Sequence, residues 1–327
     1  MNSNRRQFLL SSTALGASAF TGSVLAEAKF PDHPITIIDS FAAGGSSDVF
    51  ARVLAERMAP FLGGTVIVDN KPGAGGALGS EFVAKARPDG YTLGMATVST
   101  LATAPAVNPK VRYDPLKDFA HITNVLTVPS VLVVHPSVSA KNLKELVQLS
   151  KDKPGTVSFA TPGVGSAGHV LLEHFMQLSG AKFLHVPYKG SAPMINDLLG
   201  GQLMVASDNL PSMLPHIQAG KVRAIAVRDN KRLESLPSVP TYAEEGYPLV
   251  SEPLWFGLVA PAGTPHDIVM RLNLAAHQAI ATPEFSARLK QASAVAAPTT
   301  PEAFAEQARA LYERYRVVVR EANIKLD

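Results

Sequence analysis

The chain has no cysteine. That absence excludes disulfides, thiolate metal sites, cysteine nucleophiles and the lipidated cysteine that would tether an exported protein to a membrane. After the first 28 residues no apolar run reaches the ~18 residues a membrane-spanning helix needs. Runs of Lys and Arg interleaved with aromatics are missing too, and the formal net charge is only +3, so nucleic acid is not an expected partner. The nine histidines include no pair at zinc-type helical spacing. His169 and His174 are five residues apart, which puts them on different faces of a helix, and no metal is expected.

Signatures of catalysis and cofactor binding fail in the same way. Gly73-Ala74-Gly75-Gly76-Ala77-Leu78-Gly79 follows a strand pattern, but its last glycine falls one residue late for a dinucleotide fingerprint. The acid that would hold a ribose is also misplaced, with Asp89 in a turn. Ser166 has Gly168 two residues after it but Val164 two before, so the hydrolase elbow is broken. Neither a catalytic set nor a cofactor is expected.

What is present is a chain of 327 residues, 46% hydrophobic and 17% charged, long enough for two domains. Its start reads as an export signal: Asn4-Arg5-Arg6-Gln7-Phe8-Leu9-Leu10, a weakly apolar stretch to about Phe20, then Ala26-Glu27-Ala28 as a small-x-small cleavage site. The paired arginines resemble a twin-arginine leader; a Sec leader with a chance Arg-Arg is the alternative. Either route places the mature protein, starting near Lys29, in the periplasm. Cleavage removes two of the 30 basic and one of the 27 acidic residues, leaving a net charge of +2.

The stretch that organises the rest is Phe41-Ala42-Ala43-Gly44-Gly45-Ser46-Ser47-Asp48. It follows a β-like run, Ile35 to Ile38, and opens a helical pattern through Val49, Phe50, Val53, Leu54 and Met58. Small residues between a strand and a helix leave amide N–H groups uncovered at the positive end of the helix dipole, a site for an anion. Ser46 or Ser47 is expected to cap the helix. A well-capped turn with no ligand is the alternative reading.

Downstream, short apolar runs alternate with helical patterns, predicting an α/β fold with largely parallel sheets. Thr97 to Thr100, at the end of the strand Tyr91–Ala96, form a polar tip of the kind that lines a ligand crevice, with Thr97 and Ser99 as candidates. A β-rich stretch from His121 to Val134 is interrupted by Pro129, which predicts two strands or a bend and a crossing into a second domain near residue 130. There Ala160 to Gly168 repeats the design of the first loop. Two helix N-termini, one per domain, are expected to face each other across a cleft and hold an anion between them. Asp208 and Asn209 end another strand, as ligand acceptors or turn residues; Lys189 reads as a counter-charge or an ordinary loop lysine, and Trp255 as core or pocket wall. The Pro-rich stretch Leu236 to Thr241 is expected to return the chain to the first domain.

Taken together, the chain resembles the solute-binding proteins of tripartite tricarboxylate transporters, the Bordetella uptake gene family. The matching pieces are Phe41 to Asp48 with Ala51-Arg52, Val68 to Gly76, Pro88-Asp89-Gly90-Tyr91-Thr92, Tyr113 to Phe119, His185 to Gly190 and Gly257 to Pro265, in order over nearly the whole mature chain. The resemblance implies a two-domain periplasmic-binding fold of type II, with residues 29–129 and 250–327 in one domain and 130–249 in the other. It implies a protein that holds a small carboxylate mainly by backbone amides and ordered waters, then delivers it to a large and a small integral-membrane permease subunit; a monomer is expected. Carried onto this sequence, the first-domain contacts are Phe41, Ala42, Ala43, Gly44, Gly45, Ser46 and Ser47. Those of the second are Thr161, Gly165, Ser166, Ala167 and His169, with Tyr188, Lys189, Asp208 and Asn209 as wall residues. The family commonly carries a Sec leader, so the twin arginines are a departure. A periplasmic hydrolase or lyase acting on organic acids, and a ligand-presenting sensor subunit, are the alternatives.

Overall fold

A computed structural model of the chain describes residues 30–247 and 253–324. The expected leader, residues 1–28, lies outside the described residues. In chain order the elements are β1 (Ile35–Asp39), α1 (Ser46–Leu62), β2 (Val66–Asn70), α2 (Ala77–Ala84), β3 (Thr92–Thr97), α3 (Ala104–Val107), β4 (Phe119–Val128), β5 (Ser130–Val134), α4 (Leu143–Asp152), β6 (Ser158–Thr161) and α5 (Ala167–Ser179). They continue with β7 (Leu184–Pro187), α6 (Ser191–Leu199), β8 (Val205–Asn209), α7 (Leu210–Gln218), β9 (Arg223–Arg228), β10 (Leu254–Pro261), α8 (His266–Ile280), α9 (Pro283–Gln291), β11 (Val295–Ala296) and α10 (Pro301–Glu321).

Two sheets result, ordered β11-β4-β10-β3-β1-β2 and β7-β6-β8-β5-β9. The expectation of largely parallel sheets needs correcting, because both are mixed. In the first sheet β1 pairs β2 and β3 in parallel, but β10 runs antiparallel between β3 and β4, and β11 antiparallel to β4. In the second, β6 pairs β7 and β8 in parallel, while β5 runs antiparallel between β8 and β9. The inserted strands are those reached from the other sheet: β5 follows β4 across Pro129, and β10 comes back after the second sheet is complete. A strand arriving from outside the βα alternation has no crossover helix to set its direction parallel.

The Pro-rich stretch at Leu236 does not return the chain to the first sheet. Thr241 bridges Val227 on β9, and Tyr242 is fully buried in the core of the second sheet against Phe175. The return therefore comes after Tyr247, next to residues outside those described.

Each sheet is covered on both faces by helices whose apolar residues follow helical spacing. On α1, Phe50, Leu54, Met58 and Leu62 are buried, and Phe50 meets Phe256 of β10 and Phe285 of α9. Each such side chain contributes about 1.5–3 kcal/mol of burial. The opposite face of the first sheet receives α10 through Phe304, whose ring stands edge-on to His121 and Trp255. The tip of that ring lies against Gly257: a Cβ at position 257 would stand 2.1 Å from Phe304 Cζ. Gly257→Ala is therefore expected to lower unfolding stability by about 1–3 kcal/mol through overpacking. Urea denaturation checks this, and an unchanged midpoint would mean that Phe304 can slide away.

Candidate functional site

The first loop is built on a buried carboxylate. Asp39, the last residue of β1, has no exposed surface, and Ser47 Oγ donates to both of its oxygens at 3.0 and 2.9 Å. Burial pushes the Asp39 carboxyl up to about 7, with the Ser47 bonds acting against the shift and the charge of Asp48 adding to it. Contrary to expectation, neither serine caps α1. Gly45 is the N-cap, with no side-chain hydrogen bond, because Ser47 already lies within the helix with its hydroxyl held by Asp39. Ser46 Oγ is buried without a partner.

Asp48 stabilises the loop from the first turn of α1. Its carboxylate accepts from the Gly44 amide at 2.9 Å, from Arg52 Nε at 3.1 Å and from Asn70 Nδ2 at 2.9 Å. Burial opposes its ionisation, but the bonds from Arg52, Gly44 and Asn70 outweigh it and hold its pKa below the usual carboxylate range. Three loop amides are thereby spent internally: Phe41 on Asp39, Gly44 on Asp48, and Ala42 on the Lys189 carbonyl across the cleft at 3.2 Å. The donors left at this end belong to the first turn of α1, where amides lack partners one turn back.

The second loop is drawn against the first sheet. Ser166 is the N-cap of α5 and accepts from the His169 amide. Ser99, in a π-helical turn after β3, accepts from the Ala167 amide at 3.0 Å, and Thr103 Oγ1 donates to the Gly165 carbonyl at 2.9 Å. His169 Nδ1 accepts from the Gly165 amide, and its ring stacks on His185 at 4.0 Å. Burial, with the neighbouring His169, lowers the pKa of His185 to about 4, and its Nε2 bonds Thr161 Oγ1 at 2.7 Å. The histidine pair braces the loop.

Between the two loops lies a cavity of about 40 Å³ at the carboxyl ends of the parallel strands. That is room for about three waters, or about 90 Å³ of liquid. Among the residues expected from sequence, Phe41, Ser46, Ser47, Thr97, Ser99, Ser166, Ala167, Asp208 and Asn209 line it. Gly44 and Gly45 instead line an outer depression with Pro211, Ser212 and Arg288. Ala43 is exposed, Ala42 half-buried, and Thr161, Gly165 and His169 stand behind the second loop as its supports. Tyr188 donates to Asp197 at 2.6 Å, and burial together with that carboxylate pushes its hydroxyl up to about 12; the Lys189 side chain is exposed. Asp208 is fully buried and accepts from Ser191 at 2.9 Å and Ser212 at 2.6 Å; burial raises its pKa despite both bonds.

Several lining residues were not expected, Arg228, Ser130 and Ser207 among them. Trp255 is both core and wall: it packs edge-on against Phe304 while facing the cavity. Arg228 ends β9 at 3% exposure, and its Nη2 donates to Tyr315 Oη of α10 at 2.7 Å. A signal for it existed, since it is the carboxyl-end tip of a strand, the feature that marked Ser99 and Asn209. Of the nine buried side-chain polar atoms without a partner among the described residues, five belong to lining residues: Ser46 Oγ, Asn209 Oδ1, Arg228 Nε and Nη1, and Trp255 Nε1. Buried polar groups are rarely left unsatisfied, so such a concentration marks a place where a polar molecule binds.

Two helix-flanked mixed sheets whose strand ends enclose a polar cavity are the two-domain fold of the periplasmic binding proteins. The chain matches the tripartite tricarboxylate transporter family receptor over residues 50–316. It is 38% identical to the protein BugT of Bordetella pertussis over 315 residues, covering 95% of each. The structure of the periplasmic binding protein BugD superposes with a TM-score of 0.87 at 36% identity, over 90% of this chain and 99% of that one. MatC of Rhodopseudomonas palustris with bound malate superposes with a TM-score of 0.86 at 31% identity, over 89% and 100%. The chain belongs to the tripartite tricarboxylate transporter receptor family, the Bug and TctC solute-binding proteins. The family and these structural neighbours are substrate-binding proteins and not enzymes, which sets aside the hydrolase or lyase alternative.

Proposed function

We propose that the protein is a periplasmic receptor that takes up a small carboxylate-bearing solute in the cavity between its two sheets and hands it to the membrane subunits of a tripartite transporter. Export would end with cleavage near Ala28. One lobe would comprise residues 29–129 and 250–327, and the other residues 130–249. The observation that carries this reading is the pairing of helix N-termini: the first turns of α1 and α5, one from each sheet, line one cavity. Among the lining residues the charged side-chain types are Asp208 and Arg228, with no histidine to serve as a base. The malate held by MatC is a carboxylate of the expected kind.

A carboxylate placed there gains charge-assisted hydrogen bonds that exist only while both loops face it, so binding favours the closed arrangement. Bonds such as Ala42 N–H to the Lys189 carbonyl and Ala167 N–H to Ser99 Oγ would form in the same step. A thermal-shift screen over aliphatic and aromatic mono-, di- and tricarboxylates tests the reading. An acid present at 100 times its dissociation constant adds about 2.7 kcal/mol to stability. The acid should be recovered unchanged; no stabilisation by any organic acid would overturn the proposal.

A further inference from the structure

The unpaired guanidinium asks for a charge that the protein does not supply. Arg228 is 3% exposed and lines the cavity, with Nε and Nη1 unpartnered. Its one hydrogen bond goes to a neutral phenol, Tyr315 Oη. Among the described residues no carboxylate forms an ion pair with it. Asp208, the acid that shares the cavity, is held by Ser191 and Ser212. A buried cation of this kind is retained where an anion arrives to complete it.

The strand register fixes where that anion would sit. Ser130 of β5 pairs with Arg228 on one side and with Asn209 on the other, and directly paired residues share a face of the sheet. Arg228 and Asn209, each with orphaned atoms, therefore flank Ser130 in one row. Trp255 Nε1, a further unpartnered donor on the cavity wall, comes from β10 in the facing sheet. The other end of the cavity is the first turn of α1, which follows β1. In the first sheet β3 lies between β10 and β1, a separation of two strand spacings, or about 10 Å. The cavity has two anion-seeking ends, and a single carboxylate satisfies one of them.

We infer that Arg228, with Trp255 Nε1, is a second carboxylate anchor that makes this receptor selective for dianions, short-chain dicarboxylates above all. The inference rests on the carboxylate-receptor reading above and adds the charge and length of the solute. A four- or five-carbon diacid, extended and with a hydrogen bond of about 2.9 Å at each end, spans the separation between the two ends.

Isothermal titration calorimetry on the mature chain tests it, using each diacid against its monoamide, which keeps the shape and loses one charge: succinate against succinamate, glutarate against glutaramate, terephthalate against its monoamide. Wild type is expected to prefer the diacid by at least about 100-fold, because the monoamide leaves Arg228 buried and unpaired. Arg228→Met is expected to bring the two within about threefold of each other. If that variant does not fold, the wild-type comparison decides by itself. Equal affinity for diacid and monoamide overturns the inference while leaving the receptor reading in place, as does an undiminished preference in folded Arg228→Met or tighter binding of butyrate or benzoate than of any diacid. Binding of no acid at all overturns the receptor reading and the second anchor with it.

Discussion

Gly75→Ala is expected to leave the protein folded and to reduce its affinity for the tightest-binding acid of the screen by at least about 100-fold. Gly75 sits in the turn before α2 with φ 62°, ψ 23°, a left-handed conformation that costs alanine about 1–2 kcal/mol. The larger effect is steric and acts across the cleft. A Cβ at position 75 would stand 2.3 Å from the Val164 carbonyl oxygen and 2.7 Å from the Ser166 amide nitrogen, both backbone atoms of the second loop. Backbone cannot yield as a side-chain tip can, so the two loops must separate, and the donors of α5 leave the position where they would meet a carboxylate. Two measurements separate this effect from simple destabilisation. Urea unfolding of the unliganded variant should lie within about 2 kcal/mol of wild type, while small-angle scattering should show no compaction on adding the acid. Wild-type affinity in the variant would mean that the loops need not touch. Gly44 and Gly165, the glycines that stand out in the sequence, are less tightly placed: their added Cβ atoms would meet their nearest neighbours at 3.6 and 3.7 Å.

The second large effect concerns pH. The folded pKa of Asp39, about 7, lies above the ordinary aspartate value of 3.8 that the unfolded chain should show. Between those values the folded state holds a proton that the unfolded state has released, so stability falls as pH rises. The contribution of Asp39 is fully present below about pH 4 and lost by the time pH has passed 7, a span worth at most about 4 kcal/mol. Asp39→Asn keeps an acceptor for Ser47 Oγ and the Phe41 amide but cannot ionise. Its stability relative to wild type is therefore expected to rise by up to about 4 kcal/mol between pH 4 and pH 8. Comparing the two proteins cancels the opposite trend from Asp48 and Asp114, whose depressed pKa values make stability fall towards acid. A difference that stays flat with pH would show that Asp39 is ionised in the folded state throughout.

Much of the architecture is legible without coordinates. Thr282-Pro283 and Thr300-Pro301 announce α9 and α10 because a Thr that accepts from an amide three residues on, followed by Pro in the first turn, is a helix start; the threonines accept from Phe285 and Ala303. The directions of β5 and β10 are not legible, since a short apolar run reads the same either way and its sense depends on which sheet the chain has just left. β11, two residues long, has no period to detect.

The site divides along the same line. Both small-residue loops are visible because glycine and serine between a strand and a helix have a local meaning. Which amides remain free for a solute is set by partners 4 to 147 positions away: Asp48 for Gly44, Ser99 for Ala167, Lys189 for Ala42. Arg228 shares the strand-end position that marks Ser99 and Asn209, but what distinguishes it, burial beside α10 without an ion-pair partner among the described residues, arises only after β9 and α10 have met.

Because Trp255 is the sole indole in the chain and forms part of the chamber wall, the protein carries its own optical reporter where a bound acid would lie. Selective excitation of that ring yields emission from one place, undiluted by other fluorophores of its type. Filling the chamber would change the polarity around a ring nitrogen that now has no partner. Occupancy can then be followed in real time on the unlabelled molecule, and arrival and departure of a solute timed separately.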